Sequence, residues 1–129
     1  MTKTVFTNGC FDIMHRGHIE LLNYCSEIGT TVMVGLNSDK SVKRLKGNDR
    51  PYFNEKDRKF MLESIKYVDK VYIFDEDTPL KLIEFIRPDI IVKGGDYKPL
   101  EIIGNELCEV RIFDYINGYS TTKILENIK

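Results

Sequence analysis

Short apolar, β-branched runs recur along this chain, and each is followed by residues whose apolar positions return at helical spacing. That alternation constrains the fold more than any other feature. The runs Thr4–Thr7, Thr30–Leu36, Val71–Phe74, Asp89–Val92 and Val110–Phe113 read as strands. Val32-Met33-Val34 is apolar at consecutive positions, as in a strand covered on both faces. Parallel strands need a crossover, and a helix supplies it. The sequence therefore predicts an α/β fold, an open, doubly wound sheet of about five parallel strands flanked by helices.

At 129 residues, 42% hydrophobic and 30% charged, the chain fits a single domain, residues 1–129, with a core of its own. A net charge of −1 offers no electrostatic footprint for nucleic acid or a membrane surface. No apolar run nears the roughly 20 residues of a membrane helix. Lys3 and Val5-Phe6 lead straight into the first motif, without a leader pattern. Cys10, Cys25 and Cys108 are odd in number and lack C-x-x-C spacing, so free thiols in a reducing cytoplasm are expected.

Between the strands, Gly17–Ile28 reads as a helix with Leu21, Leu22, Cys25 and Ile28 on one face, stopped by Gly29 as a C′ glycine. Ser38 or Asp39 caps a short helix through Leu45. Lys43 to Pro51 reads as a basic loop able to close over a polyphosphate. Asn54 caps the next helix, with Met61, Leu62 and Ile65 as its buried stripe. Arg58 falls in the first turn, where the helix dipole disfavours a cation, so it answers an anion, either a ligand or a nearby carboxylate. Pro79, at N1 behind Thr78 or Asp77, starts a helix that Arg87-Pro88 ends. A weak helix is expected over about Glu101 to Leu107, and an amphipathic one around Ile124, Leu125 and Ile128.

Chemistry concentrates in Thr7–His18, T-N-G-C-F-D-I-M-H-R-G-H, at the junction of the first strand and first helix. In an open parallel sheet ligands bind at such strand ends, and phosphates collect at helix N-termini. His15 and His18 are the only histidines of the chain. Their i,i+3 spacing puts both imidazoles on one side of the helix start, and Gly17 leaves room for a ligand. The residues alone keep three readings open: a polyphosphate site with imidazole donors, one capping and one exposed histidine, or zinc held by Cys10, His15 and His18. Asp75-Glu76-Asp77 fits an ordinary acidic helix start better than a Mg²⁺ site.

The segment from Asn8 to His18 resembles the first signature of the cytidylyltransferase-like nucleotidyltransferases, G-x-F-D before H-x-G-H. Gly9, Phe11, Asp12, His15, Gly17 and His18 all match it. The family's second signature, G-x-S-T-[ST], is matched by Gly118, Ser120, Thr121 and Thr122. Within the family the chain most resembles the heptose 1-phosphate adenylyltransferase branch. It shares that branch's V-G-x-N-S-D (Val34–Asp39), R-L-K-G (Arg44–Gly47), F-D-E-D-T-P (Phe74–Pro79), V-K-G-G-D-Y (Val92–Tyr97) and G-Y-S-T-T. Two features depart: Tyr115-Ile116-Asn117 replaces the R-T-x common in cytidylyltransferases, and Glu101–Glu109 is shorter than in the heptose branch.

The resemblance implies a Rossmann-like fold and a reaction in which a sugar phosphate oxygen attacks the α-phosphate of a nucleoside triphosphate, releasing pyrophosphate. The nucleotide would be ATP and the acceptor a heptose 1-phosphate. A cytidylyltransferase acting on CTP and glycerol 3-phosphate, and a nucleotide-binding regulator without activity, are the alternatives. The implied catalytic residues are His15, His18 and Lys46. Asn8, Gly9, Cys10, Phe11, Gly17, Asp96, Tyr119, Ser120, Thr121 and Thr122 would hold the nucleotide, and Lys46 and Arg58 the substrate phosphates. Mg²⁺ would arrive with the triphosphate without dedicated protein ligands, Asp12 would organise its loop, and the chain would form a homodimer.

Overall fold

The computed structural model describes residues 2–95 and 98–114. In chain order they form β1 (Thr4–Gly9), α1 (Arg16–Ile28), β2 (Thr31–Asn37), α2 (Asp39–Lys46), α3 (Glu55–Glu63), β3 (Lys70–Phe74), α4 (Leu80–Ile86), β4 (Ile90–Gly94), a 3-10 turn (Pro99–Glu101) and β5 (Glu109–Phe113). The five strands make one sheet in the order β3-β2-β1-β4-β5, and every pairing is parallel. This is the doubly wound α/β sheet that the alternation of runs predicts. The chain works outward from β1 to β3, then crosses to β4 on the other side of β1. The direction of winding therefore reverses between β1 and β4, and a crevice opens there at the strands' C-terminal ends.

Alternation along the strands divides the core in two. Val5, Val34, Leu36, Val71 and Val92 face α1 and α3, packing with Leu21, Leu22, Cys25 and Leu62. Phe6 and Ile91 face α4, packing with Ile83 and Ile102. On this second face the next residues outward are Asn8 on β1, Asn37 on β2 and Lys93 on β4. Gly35 pairs with Asn8 and lies where a Cβ would come within 2.8 Å of the Phe6 ring and 3.1 Å of Leu82, so the sheet packs closely just beneath these polar residues.

Several local expectations change. Gly29 ends α1 in extended backbone (φ −146°), not in the left-handed form of a C′ glycine. Its constraint is contact: a Cβ would meet Val5 Cγ2 at 2.4 Å and the Lys3 carbonyl at 2.9 Å. Lys43, Arg44 and Lys46 belong to the last turn of α2, so the basic loop is shorter than expected. The helix is preferred there because cations suit its C-terminal end, and Gly47 closes it at φ 112°. Met61 is 53% exposed while Leu62 is fully buried, because α3 ends at Glu63 and buries a narrower stripe. Pro79 takes the cap position of α4, not N1. Near Glu101 a single 3-10 turn and irregular turns replace the weak helix. The helix expected around Ile124, Leu125 and Ile128 lies outside the described residues.

Candidate active site

β1 delivers Asn8 and Gly9 to the crevice, and the chain then turns through Cys10 to Met14 into α1. Two residues of this turn, Phe11 (φ 47°) and Ile13 (φ 55°), hold left-handed backbone that side chains disfavour. Such conformations persist where surrounding structure imposes them. Here Phe11 is buried in the α1-side core, and the Asp12 carboxylate between them is fixed on both oxygens. It accepts from the Tyr52 N–H at 2.7 Å and the Phe53 N–H at 3.0 Å, and Arg50 Nε lies 3.5 Å away. Asp12 therefore organises the loop.

The histidines form a reciprocal cap at the start of α1. His15 Nδ1 accepts from the Gly17 N–H at 3.1 Å, and His18 Nδ1 accepts from the His15 N–H at 3.2 Å. An Nδ1 that accepts carries no proton, so each neutral ring bears its hydrogen on Nε2. The rings stack at 3.9 Å, and Phe11 lies 5.3 Å from His18. Burial pushes the His18 pKa down to about 4, helped by His15 and then Lys46; burial also lowers that of His15. Both are therefore neutral Nε2–H donors at neutral pH. They stand where the helix dipole is positive, with no acidic residue in the first turn. Capping and polyphosphate binding are thus compatible, one nitrogen serving each. The zinc reading loses its ligands: both Nδ1 atoms are engaged, and among the described residues no three His, Cys, Asp or Glu side chains converge as a metal site.

A cavity of about 370 Å³ opens on the α4 side of the same sheet edge. Its polar wall includes Asn8, Asn37, Lys46 and Lys93, with Cys10 between them and the histidine loop; Phe74, Pro79 and Ile102 are apolar wall. Asn37 is held by its Nδ2–H donating to Ser41 Oγ at 2.9 Å. Lys93 is half-buried, and its pKa is lowered first by burial and further by Lys46, with Cys10 opposing. Burial likewise pushes the Cys10 thiol up against the pull of Lys46, Arg58, Lys93 and Arg50.

Arg58 is a correction. Expected as a substrate contact, it is 1% exposed, and internal acceptors surround its guanidinium. It donates to the carbonyls of Phe53 (2.9 Å), Cys10 (2.8 Å) and Asn37 (2.8 Å), and to Asp39 Oδ1 (2.8 Å). Of the two anions its first-turn position invited, the structure supplies the carboxylate. No ligand reaches a side chain buried this deeply. It ties the histidine loop to the β2–α2 turn instead.

The structure thus gathers Asn8, Gly9, Cys10 and Lys46 around the cavity, and Phe11, His15, Gly17 and His18 at the helix start. Asp96, Tyr119, Ser120, Thr121 and Thr122 lie outside the described residues. Two cavity residues, Asn37 and Lys93, were not singled out from the sequence. The available signal was a polar residue at or next to the C-terminal end of an apolar strand, on the face that Phe6 and Ile91 share.

Strand order, switch point and histidine-capped helix together define a Rossmann-like nucleotide-binding fold. The cytidylyltransferase-like family model matches residues 6–127, and the chain belongs to that family of nucleotidyltransferases. Over 128 residues, 98% of the chain, it is 56% identical to the bifunctional protein HldE of Helicobacter pylori and 52% identical to that of a Nitratiruptor species. It spans 28% of the length of those relatives. A lipopolysaccharide core biosynthesis protein from Thermoplasma volcanium is similar in structure, with TM-score 0.75 and 28% identity over 93% of this chain and 100% of that one. A pantoate-beta-alanine ligase from Francisella tularensis, at 12% identity and TM-score 0.66 over 99% of this chain and 66% of its own, shares the fold alone. No helix among the described residues is long and apolar enough to cross a membrane.

Proposed function

We propose that this nucleotidyltransferase moves an adenylyl group from ATP to a heptose 1-phosphate in the cytoplasm. The acceptor's phosphate oxygen attacks the α-phosphorus, the bond from that phosphorus to the bridging oxygen breaks, and pyrophosphate leaves with the electron pair. A phosphate monoester is already an anion near neutral pH, so the reaction asks for positioning and charge stabilisation more than for a base. The observation that carries this reading is the reciprocal histidine cap. It presents two neutral Nε2–H donors at a helix N-terminus beside a cavity bearing two lysines. His18 is the transition-state donor, His15 a phosphate donor, and Lys46 a counter-charge to the transferring phosphates.

Mg²⁺ takes oxygen ligands and keeps several waters, so one or two carboxylates with substrate phosphates suffice. Asp77 on the cavity wall already accepts from Arg44 Nε at 2.9 Å, so phosphate oxygens and waters would hold the ion. The ion would neutralise phosphate charge. The choice of ATP and heptose rests on V-K-G-G-D-Y and G-Y-S-T-T, and on Tyr115 standing where cytidylyltransferases carry arginine. Similarity to the two HldE proteins supports the same choice. The test crosses four nucleoside triphosphates with heptose 1-phosphate, glycerol 3-phosphate and other sugar phosphates, read by pyrophosphate release. The highest kcat/KM is expected for ATP with heptose 1-phosphate. Higher kcat/KM with CTP would replace the adenylyl assignment by the cytidylyl one, and no release with any pair would favour a nucleotide-binding regulator. The homodimer belongs to the same reading, and sedimentation showing only a 15.0 kDa species would remove it.

A further inference from the structure

We propose that Arg44 is a positioning residue for Lys46: it fastens the last turn of α2 to the loop between β3 and α4, and so holds Lys46 on the cavity wall. The proposal rests on the role given to Lys46 above and names what keeps that lysine in place.

Packing alone holds the last turn of α2 poorly. Burial along the helix ends at Val42, and Lys43, Arg44, Leu45 and Lys46 are all exposed. A helix of eight residues owes its stability to tertiary contacts more than to its own hydrogen bonds. Leu45 and Lys46 nonetheless line the cavity, where a productive contact with a substrate depends on fixed geometry.

Contacts to the end of β3 and the loop after it supply the fixing. Ser38, Ser41 and Arg44 recur every three residues, along one side of α2. The Ser38 N–H donates to the Phe74 carbonyl at 2.9 Å, and Ser41 Oγ donates to the Glu76 carbonyl at 3.4 Å. Arg44 completes the series: its Nε donates to Asp77 Oδ1 at 2.9 Å, and its Nη2 donates to the Asp75 carbonyl. Among the described residues, no other side chain of the exposed turn makes a hydrogen bond or ion pair. The planar fork spans a carboxylate and a carbonyl at once, which a lysine ammonium does not match. Asp75-Glu76-Asp77 therefore receives α2, besides leading into the next helix. Both ends of the ion pair are exposed, so the fastening adds little to global stability and acts on the turn that carries Lys46.

Arg44→Met and Arg44→Lys are compared with wild type, with Lys46→Ala, and with Lys40→Met, which removes an exposed cation elsewhere on α2. Amide hydrogen exchange needs no turnover. Exchange at Leu45, Lys46 and Gly47 is expected to quicken about fivefold in both Arg44 variants, while β2 amides and the Lys40→Met protein behave as wild type. Steady-state kinetics then use the best pair from the substrate matrix. Both Arg44 variants should raise the KM for a phosphorylated substrate about fivefold, with kcat within about twofold of wild type. Arg44→Met added to Lys46→Ala should cause no further loss, because the two act through one group. Unchanged exchange in the last turn overturns the proposal. So does a wild-type KM in Arg44→Lys, which would make Arg44 a counter-charge and not a fastening. A full further loss in the double variant does the same, since Arg44 would then act apart from Lys46. Wild-type kinetics in Lys46→Ala overturn the role of Lys46 together with this proposal. A Lys46 effect that Arg44→Met fails to reproduce overturns this proposal alone. Arg44 is exposed, so both of its variants should fold.

Discussion

The two halves of the sheet's C-terminal edge are built on opposite principles. On the α1 side the site is made from backbone: a helix start, a strained turn, and two imidazoles whose Nδ1 atoms close the helix cap. Its groups are neutral donors fixed before any ligand arrives. On the α4 side the site is made from side chains at strand and helix ends, including two lysines and two carboxylates around a cavity. Its groups are charged, and Lys46 is long and exposed. The difference fits the two tasks of the proposed reaction. Charge that develops in a transition state is best met by preorganised dipoles, whereas selecting a substrate rests on counter-charge and hydrogen-bond matching. Arg58 is the joint between the halves, bonded to Cys10 on one and Asn37 on the other.

The largest way to break the comparison is to remove that joint. Arg58→Met leaves the buried Asn37 carbonyl, the partly buried Phe53 and Cys10 carbonyls and the Asp39 carboxylate without their donor, and should cost about 3–5 kcal/mol of stability. Urea denaturation measures it. A loss under about 1 kcal/mol would show that the two halves hold their places without Arg58.

Next comes the backbone-built half. His18→Ala should lower kcat by roughly a hundredfold or more, as loss of a preorganised donor does, while the acceptor KM changes little. Activity within about threefold of wild type would remove His18 from the transition state and leave it a helix cap.

The depressed pKa of His18 adds a stability test of the same residue. An unfolded histidine titrates at 6.5, while His18 in the fold titrates at about 4. Between these values the unfolded chain binds a proton that the native chain refuses. The contribution is therefore complete above the unfolded value and is lost as pH falls toward the folded one, with a ceiling of about 3 kcal/mol. His15 acts in the same direction. The urea midpoint of wild type should drop between about pH 7 and about pH 4.5, and that drop should shrink in His18→Gln. Equal drops in the two proteins would contradict a neutral, half-buried His18.

The smallest effect is expected on the charged half. Lys46→Ala should raise the KM for phosphorylated substrates by about tenfold, with stability unchanged, because its side chain is solvent-exposed. An unchanged kcat/KM for both substrates would return Lys46 to an ordinary surface cation.

The sequence by itself determined the sheet, its parallel sense, and the histidine helix start. Those depend on local patterns: apolar runs too continuous for a one-sided strand, glycine and proline punctuation, and two histidines three positions apart. Helix ends were less legible, since Lys43–Lys46 read equally as loop or last turn until packing chose the helix. Arg58 illustrates the remaining boundary. Its first-turn position announced an anion, but only the fold decided between ligand and carboxylate, by bringing Asp39, Cys10, Asn37 and Phe53 to one buried guanidinium. Lys93 was hidden for the same reason. A lysine near the end of an apolar run is only weakly marked by local pattern, and it shares a cavity wall with Lys46, forty-seven positions earlier in the sequence, only in the folded chain. Local periodicity fixes which residues make each element, because it acts through neighbours three or four positions away. Which charged groups share a cavity is set by strand order and crossover, and those exist only once the sheet has closed around β1.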